Sequence, residues 1–401
     1  MIVKPFKPLL YNKNLQNVVS PPFDTISEDQ EKTFLSIPYN VSQLSRLKWD
    51  HQNSVELLKK WISESVLIKV DTPIMIVVSQ YFKHNSEMFQ RLGVICLTDI
   101  TSEDGVIKPH ENTIDIYVKQ RKQLMDSLKT QLEPVFLISF ENQLEKTLNR
   151  IISGKLPDKI IEETTGVKNY VYIVQEEADI SRIKEILRGK DSVIADGHHR
   201  IKASKELYHE AKTKEEKEFW RYSLVYITSV YERAIKIGGI HRLVTDNKHT
   251  TAAIFQNLSD VFKVDKVNNY HSNGNIVIYD GKFNALIPNR QSLRNIFLEG
   301  DLQGLSAPFV VDYFIFKRTL NLNKEEKESM VKYTNDVASA INSVDKGEAS
   351  YAILMPGWDK EEFMNEVIAN EIMPPKSTYF YPKIPSGIAS VNLQKLNFTN
   401  G

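Results

Sequence analysis

Asp191-Ser-Val-Ile-Ala-Asp-Gly-His-His-Arg-Ile-Lys-Ala-Ser-Lys205 is the stretch on which the reading of this chain turns. A short apolar run at residues 193–195 ends in Asp196-Gly197-His198-His199-Arg200, and helix-forming residues follow to about residue 212. The pattern predicts a strand, a tight turn and a helix. Gly197 can take a positive φ or let the backbone approach a ligand, the first helical N–H groups lack intrahelical partners, and the helix dipole favours negative charge there. Such a turn is the frame of an anion site. His198, His199 and Arg200 add donors to it, and Asp196 either accepts a proton or holds a metal ion. The plainer reading is a helix start capped by Asp196 with histidines on the surface, but a cap needs only one of these five residues.

The rest of the composition narrows the class. A chain of 401 residues is too long for one core, so two or three domains are expected. With 41% hydrophobic and 25% charged residues it belongs with ordinary globular proteins rather than disordered or membrane chains. Lys plus Arg and Asp plus Glu both number 51, which argues against a protein that coats nucleic acid or an anionic membrane. The single cysteine, Cys96, lies in an apolar run and reads as a small buried residue in a reducing compartment. No apolar run suits a signal peptide or a membrane span, so a cytoplasmic location without membrane attachment is expected. Oligomeric state is not legible.

In chain order, Ser20-Pro-Pro-Phe-Asp24 is a rigid turn that leaves Asp24 either as a turn former or as an acid held in a site. Ser27 and Gln30 have capping-box spacing. Residues 54–67 show helical periodicity, and residues 73–82 and 88–97 read as an antiparallel hairpin. His110 and Glu111 follow a proline and precede a charged helix at 114–130; this pair is either a helix-start turn or a site pair, with Glu111 as general base or metal ligand and His110 donating a hydrogen bond to a phosphate. Strands at 133–140 and 170–175 alternate with helices at 141–152 and 181–188, and a long apolar strand follows at 221–230. The alternation indicates α/β architecture of mixed α+β character. Gly238-Gly239-Ile240-His241-Arg242 repeats the glycine then His-Arg order, so His241 and Arg242 are candidates for the same ligand. From about residue 246 helices and short strands predict a second domain, including an aromatic-rich helix at 307–320 and another helix at 324–345. The expected domains are 1–245 and 246–401. The stretch 372–387 holds four prolines and the run Lys376-Ser377-Thr378-Tyr379. It lacks the glycines of a Walker loop and reads as a preorganised loop, either reaching a phosphate or covering the core.

These pieces together resemble the family known as domain of unknown function 1015. The matching segments are Lys4-Pro-Phe-Lys-Pro8, Ser20-Pro-Pro-Phe-Asp24, Pro38-Tyr-Asn40, Lys108-Pro-His-Glu111, Ala195-Asp-Gly-His-His-Arg200, His241-Arg-Leu-Val244 and Met373-Pro-Pro-Lys-Ser-Thr-Tyr-Phe-Tyr-Pro-Lys383. Residues 237–240 depart from it, since the family more often has proline or threonine before the His-Arg pair. The family is in turn similar to the ParB/sulfiredoxin group, whose members hold nucleotide phosphates on a glycine turn followed by His-Arg or Arg-Arg, here Gly197 with His199 and Arg200. The resemblance implies a ParB/sulfiredoxin-like mixed-sheet core with a second α+β domain packed on it. It also implies phosphoryl transfer to a small hydroxyl substrate, with free L-serine as acceptor and ATP, ADP or pyrophosphate as donor.

Phosphoryl transfer needs cationic donors around the moving phosphate, usually Mg²⁺, and a carboxylate near the attacking hydroxyl. Gly197, His198, His199 and Arg200 meet the first need. Asp196, Glu111 and Asp24 are the candidate acids, Asp196 also as ligand of Mg²⁺, with His110, His241, Arg242, Lys376, Ser377, Thr378 and Tyr379 as candidate phosphate or substrate contacts. Two other classes share parts of the pattern. One is a nucleotide-gated DNA-binding protein, disfavoured by the charge balance and the lack of a helix-turn-helix signal. The other is a metal-dependent hydrolase using His110, Glu111, Asp196, His198 and His199.

Overall fold

The structure is a computed structural model that describes residues 1–12, 17–22, 26, 28–45, 51–103, 105–246, 248–270, 274–299, 306–369 and 372–393. The chain divides into two compact units, one of Met1–Pro109, Thr113–Ile235 and Pro382–Gly401, the other of His110–Asn112 and Lys236–Tyr381.

The first unit is built on a mixed sheet with the strand order Ile107–Lys108, Ser192–Asp196, Val135–Ser139, Tyr222–Ser229, Glu87–Asp99, Met75–His84, Lys168–Val174, Lys159–Glu162. Val3–Lys4 adds to Glu87–Asp99. Ser192–Asp196 runs parallel to Ile107–Lys108, and Val135–Ser139 parallel to Tyr222–Ser229, while the other pairings are antiparallel. The expected hairpin is Met75–His84 with Glu87–Asp99, turning through Asn85 and Ser86 at φ 48° and 69°. Two left-handed residues give the turn a twist that matches its strands. Every residue of Val135–Ser139 is buried, which is why its sequence is a continuous apolar run rather than an alternating one.

One face of this sheet is covered by the helices Leu144–Ile152 and Glu177–Leu187. Leu144, Leu148 and Ile151, and Ile180, Ile183 and Leu187, recur at helical spacing and present one apolar stripe each to Val77, Val94 and Val225. Strand alternation sends Gln80, Arg91 and Asn169 to the other face, where all three are fully buried. Gly93 lies on that face beneath the Tyr226 ring: a Cβ there would come within 2.3 Å of it, so the ring requires a glycine. Cys96 is buried among apolar side chains, and burial pushes its thiol up.

The second unit holds an antiparallel six-stranded sheet in the order Phe262–Val267, Phe283–Pro288, Ile276–Tyr279, Tyr351–Leu354, His241–Val244, Val331–Thr334. Lys236–Gly238 pairs separately with Tyr379–Tyr381. The helix expected over residues 324–345 is two helices, Lys324–Met330 and Val337–Asp345, separated by the strand Val331–Thr334. Pairing with His241–Val244 makes that strand, and Asp336 starts the next helix by accepting from the amides of Ala338 and Ser339. Tertiary pairing outweighs helical propensity here. The aromatic-rich helix begins as Ala307–Val310 and continues as a wider π-helical stretch, Val311–Thr319, where Leu320 N–H donates to Ile315 C=O. Phe314 and Phe316 are buried in it, in keeping with core packing. Among the described residues no helix is long and apolar enough to cross a membrane.

Glu232 in the first unit yields a pH-dependent prediction. It is buried, its Oε1 accepts from Leu92 N–H at 2.9 Å, and its Oε2 has no partner among the described residues. Desolvation pushes this carboxyl from 4.5 up to about 8. The folded state therefore binds the proton more tightly than the unfolded chain. The stability this confers is complete below pH 4.5 and is lost as pH rises through about 8. Glu232→Gln keeps the acceptor and removes the charge, so its Tm is expected to fall less than that of the parent across that window. Parallel profiles of Tm against pH would contradict the assignment.

Candidate functional site

Asp196 is the last residue of its strand, and the pairing with Val135–Ser139 shifts register between Ile194 and Asp196. Such a bulge re-aims the side chain at the strand end. Gly197 follows at φ 99°, ψ 28°, and the helix His198–Glu210 begins with no side-chain cap. The N-cap is thus Gly197, not Asp196.

The carboxylate of Asp196 lies between two cations. Arg200 Nη2 donates to Oδ2 at 2.5 Å, one helical turn on, and Lys383 Nζ donates to Oδ1. Arg200 Nη1 also donates to the carbonyl of Pro134 at 2.6 Å and lies 3.7 Å from Glu133 Oε2. Glu133 Oε1 is in turn 3.8 Å from Arg121 Nη1. Arg121, Glu133, Asp196 and Arg200 are all buried. The guanidinium of Arg200 crosses over Gly197 so closely that a Cβ there would sit 3.0 Å from its Cζ.

The histidines take different places. His198 is buried and His199 half-buried. Nε2 of His199 accepts from Ile114 N–H at 3.1 Å, and the ring meets Tyr117 edge-on at 5.7 Å. His199 therefore serves the start of the helix Asp115–Leu128, whose N-cap residue, Ile114, has no capping side chain of its own.

The second unit gathers most of the other candidates. His110–Asn112 lies along Met373: Met373 N–H donates to His110 C=O and Asn112 N–H to Met373 C=O, both at 2.9 Å. Glu111 Oε2 accepts from Ser377 N–H at 3.0 Å, and His110 Nε2 is 2.7 Å from Thr378 Oγ1. The His110 ring is fully buried, edge-on to Phe363 and Phe380. Arg242 donates to the carbonyls of Ile240 and Lys376 and lies 5.7 Å from the centre of the Tyr333 ring. Burial lowers its guanidinium to about 10. Burial likewise lowers His241 to about 4, leaving it neutral, with Nδ1 accepting from Met355 N–H at 3.0 Å.

Lys376 stands at φ 63°, and the loop it opens is satisfied from within. Ser377 Oγ donates to Pro374 C=O at 2.6 Å, and Trp358 Nε1 donates to Ser377 C=O at 3.0 Å. As placed, the Ser377 amide and both hydroxyls of Ser377 and Thr378 have protein partners. Tyr379 lies in the strand Tyr379–Tyr381, its ring 6.3 Å from that of Tyr381. Asp24 and Ser27 lie outside the described residues. Among the described residues no three His, Cys, Asp or Glu side chains cluster as a metal site.

Three participants escaped the sequence reading. Lys383 had a signal, as the last residue of the segment that begins at Met373. Glu133 had none, and Arg121 lies in a charged helix whose basic residues Lys119, Arg121, Lys122 and Lys129 read as a solvated face, whereas Arg121 is buried.

Gly197→Ala combines an unfavourable positive φ with a contact against Arg200. It is expected to cost about 1–3 kcal/mol of stability and to loosen the Asp196–Arg200 pair. Equal denaturation midpoints for Gly197→Ala and the parent would refute this.

No curated protein matches the sequence. Among solved structures, similar chains include a conserved hypothetical protein from Pyrococcus furiosus, with TM-score 0.41, 16% identity, and coverage of 76% of this chain and 97% of that one. A free serine kinase in complex with AMP has TM-score 0.40 and 14% identity, covering 76% of this chain and 93% of that one. SbnI with C-terminal truncation from Staphylococcus aureus has TM-score 0.42 and 10% identity, covering 77% and 90%. Likenesses at this level transfer no activity to this chain. The model of a family described as proteins of unknown function, DUF1015, matches residues 3–309, well over half of the sequence, and the chain belongs to that family.

Proposed function

We propose that the protein is a phosphotransferase that moves a phosphoryl group from a nucleotide or pyrophosphate to the hydroxyl of a small molecule, with free L-serine as the acceptor. The observation that carries this reading is the turn at Asp196-Gly197: a bulged strand end, a left-handed glycine and a helix start without a side-chain cap, with Arg200 and Lys383 meeting on one carboxylate. Helix N-termini of this kind favour phosphate oxygens, and the cations beside it suit the charge that a transferring phosphoryl group spreads over its oxygens. The resemblance of Gly197, His199 and Arg200 to the glycine turn of the ParB/sulfiredoxin group supports the same reading.

In the reaction, the acceptor oxygen attacks phosphorus, the bond from phosphorus to the leaving phosphate oxygen breaks, and the hydroxyl proton passes to a carboxylate. The turn holds the donor phosphate, while Arg200 and Lys383 keep Asp196 in place beside it. Mg²⁺ is the cation such a transfer takes. Asp196 is the residue of this chain that would hold it, through a carboxylate that also accepts from Arg200 and Lys383, and the rest of the ion's ligands would come from outside the chain. When bound it neutralises charge on the phosphates.

The test is ³¹P NMR of the protein with Mg²⁺ and L-serine, supplied in turn with ATP, ADP and pyrophosphate. O-Phosphoserine is expected with at least one donor, and Asp196→Asn, folded as judged by its Tm, should lower the rate by about 100-fold or more. Asp24→Asn and Glu111→Gln, assayed beside it, identify the base by loss of kcat. No donor consumed with serine would contradict the proposal.

A further inference from the structure

Gln80, Arg91 and Asn169 form a straight row across three adjacent strands of the first unit. Register sets Arg91 opposite Gln80 and Gln80 opposite Asn169, and each is fully buried. Arg91 gives Nε and Nη2 to Gln80 Oε1 at 3.1 and 2.5 Å. Gln80 Nε2 reaches Asn169 Oδ1 at 2.9 Å, and Asn169 Nδ2 reaches Glu163 Oε1 at 2.7 Å. The row also holds two neighbouring carbonyls: Arg91 Nη2 donates to Pro382 C=O, and Gln80 Nε2 to Lys383 C=O at 3.2 Å. The guanidinium of Arg91 lies 4.7 Å from the centre of the Phe136 ring, and Phe136 is the register partner of Asp196.

A fully buried guanidinium with two buried amides is not an economical way to stabilise a sheet. Well-packed apolar side chains of similar volume do at least as well, because desolvating a charge is costly even when it is paired. What the row supplies is position. It grips consecutive carbonyls in the chain segment that returns to this unit at Pro382, and the residue so gripped sets its ammonium on Asp196.

We infer that Lys383 is a further anion-binding residue of the Asp196 site, and that the Gln80–Arg91–Asn169 row positions it there. The ligand class, a phosphoryl oxygen, rests on the phosphotransferase reading; the positioning does not. An ammonium carries three donors, so a carboxylate and a phosphoryl oxygen can share it. Gln80, Arg91 and Asn169 act through Lys383 and are positioning residues.

Amine acetylation followed by peptide mass spectrometry reads this directly. In the wild-type protein, Lys383 should react about tenfold or more slowly than exposed Lys146. Gln80→Glu keeps the acceptor for Arg91 and loses the donor to Lys383 C=O and to Asn169 Oδ1. It is expected to speed labelling of Lys383 about tenfold, with other lysines unchanged, in protein that is folded as judged by its Tm. A uniform rise at all lysines, or a folded variant with Lys383 as protected as before, overturns the positioning role. If Gln80→Glu does not fold, wild-type Lys383 reacting as fast as Lys146 overturns it without any variant, and protected wild-type Lys383 supports it. The ligand role is read separately by ³¹P assay of Lys383→Met, where KM for the phosphate donor should rise about tenfold or more. An unchanged KM with turnover intact overturns that role alone, whereas failure of the wild-type protein to phosphorylate serine overturns the phosphotransferase reading and leaves the labelling result standing.

Discussion

The carboxylate of Asp196, held between Arg200 and Lys383, is the interaction around which the first unit is arranged. It draws on four features from two parts of the chain. The bulge in Ser192–Asp196 turns the side chain, Gly197 makes room for the guanidinium that crosses it, the first turn of the helix supplies Arg200, and the C-terminal segment brings Lys383. Behind Arg200 stand Glu133 and Arg121, so charges alternate along the series Arg121, Glu133, Arg200, Asp196, Lys383, of which the first four are buried and the last half-buried. Three cations against two anions leave one positive charge, the sign that suits a phosphate. Buried ion pairs contribute little net stability because each ion loses its hydration, but removal of one member strands the next. A series of this kind is therefore intolerant of change while adding little to the folding free energy, as expected of residues kept for geometry.

The second unit solves a different problem with similar residue types. His110, His241 and Arg242 are buried, and the latter two are held below their ordinary proton affinities by burial. Their polar atoms meet backbone groups and the Lys376–Thr378 loop, so they fix a loop whose prolines already limit its conformations. Glu111 belongs to the same scheme through the Ser377 amide. Histidine and arginine in the second unit thus serve backbone groups and a loop, whereas Arg200 in the first serves the carboxylate of Asp196.

Much of this was legible because local chemistry and tertiary need coincide. A β-branched run ending in Asp-Gly before a helix former can hardly be anything but strand, turn and helix, and the hairpin at 75–99 announces itself by two apolar runs around Asn85-Ser86. The strand Val331–Thr334 was hidden inside a helical pattern because only its pairing with His241–Val244 makes it a strand. The turn with a positive φ at Gly197 was legible in the sequence and the cap by Asp196 was its plainer alternative; the pairing of Asp196 with Lys383 is not visible without tertiary structure. Glu133 and Arg121 could not be found from spacing, since they meet across 11 residues of intervening chain with no motif between them. Gln80, Arg91 and Asn169 were equally silent: polar residues in otherwise apolar strands read as solvent-facing positions until the register sets them side by side inside the sheet.

The central claim, that the Asp196-Gly197 turn receives a phosphate, is tested most directly by NMR of protein labelled with ¹⁵N-glycine, which carries 16 glycine signals. The Gly197 signal is assigned by its loss in a Gly197 variant and followed during titration with pyrophosphate and with ADP. A saturable shift of Gly197, with glycines on other turns of the first unit, such as Gly154 and Gly166, unmoved, is the predicted result. A Gly197 signal that stays in place while either compound saturates the protein elsewhere, or that moves with neither, would contradict the account.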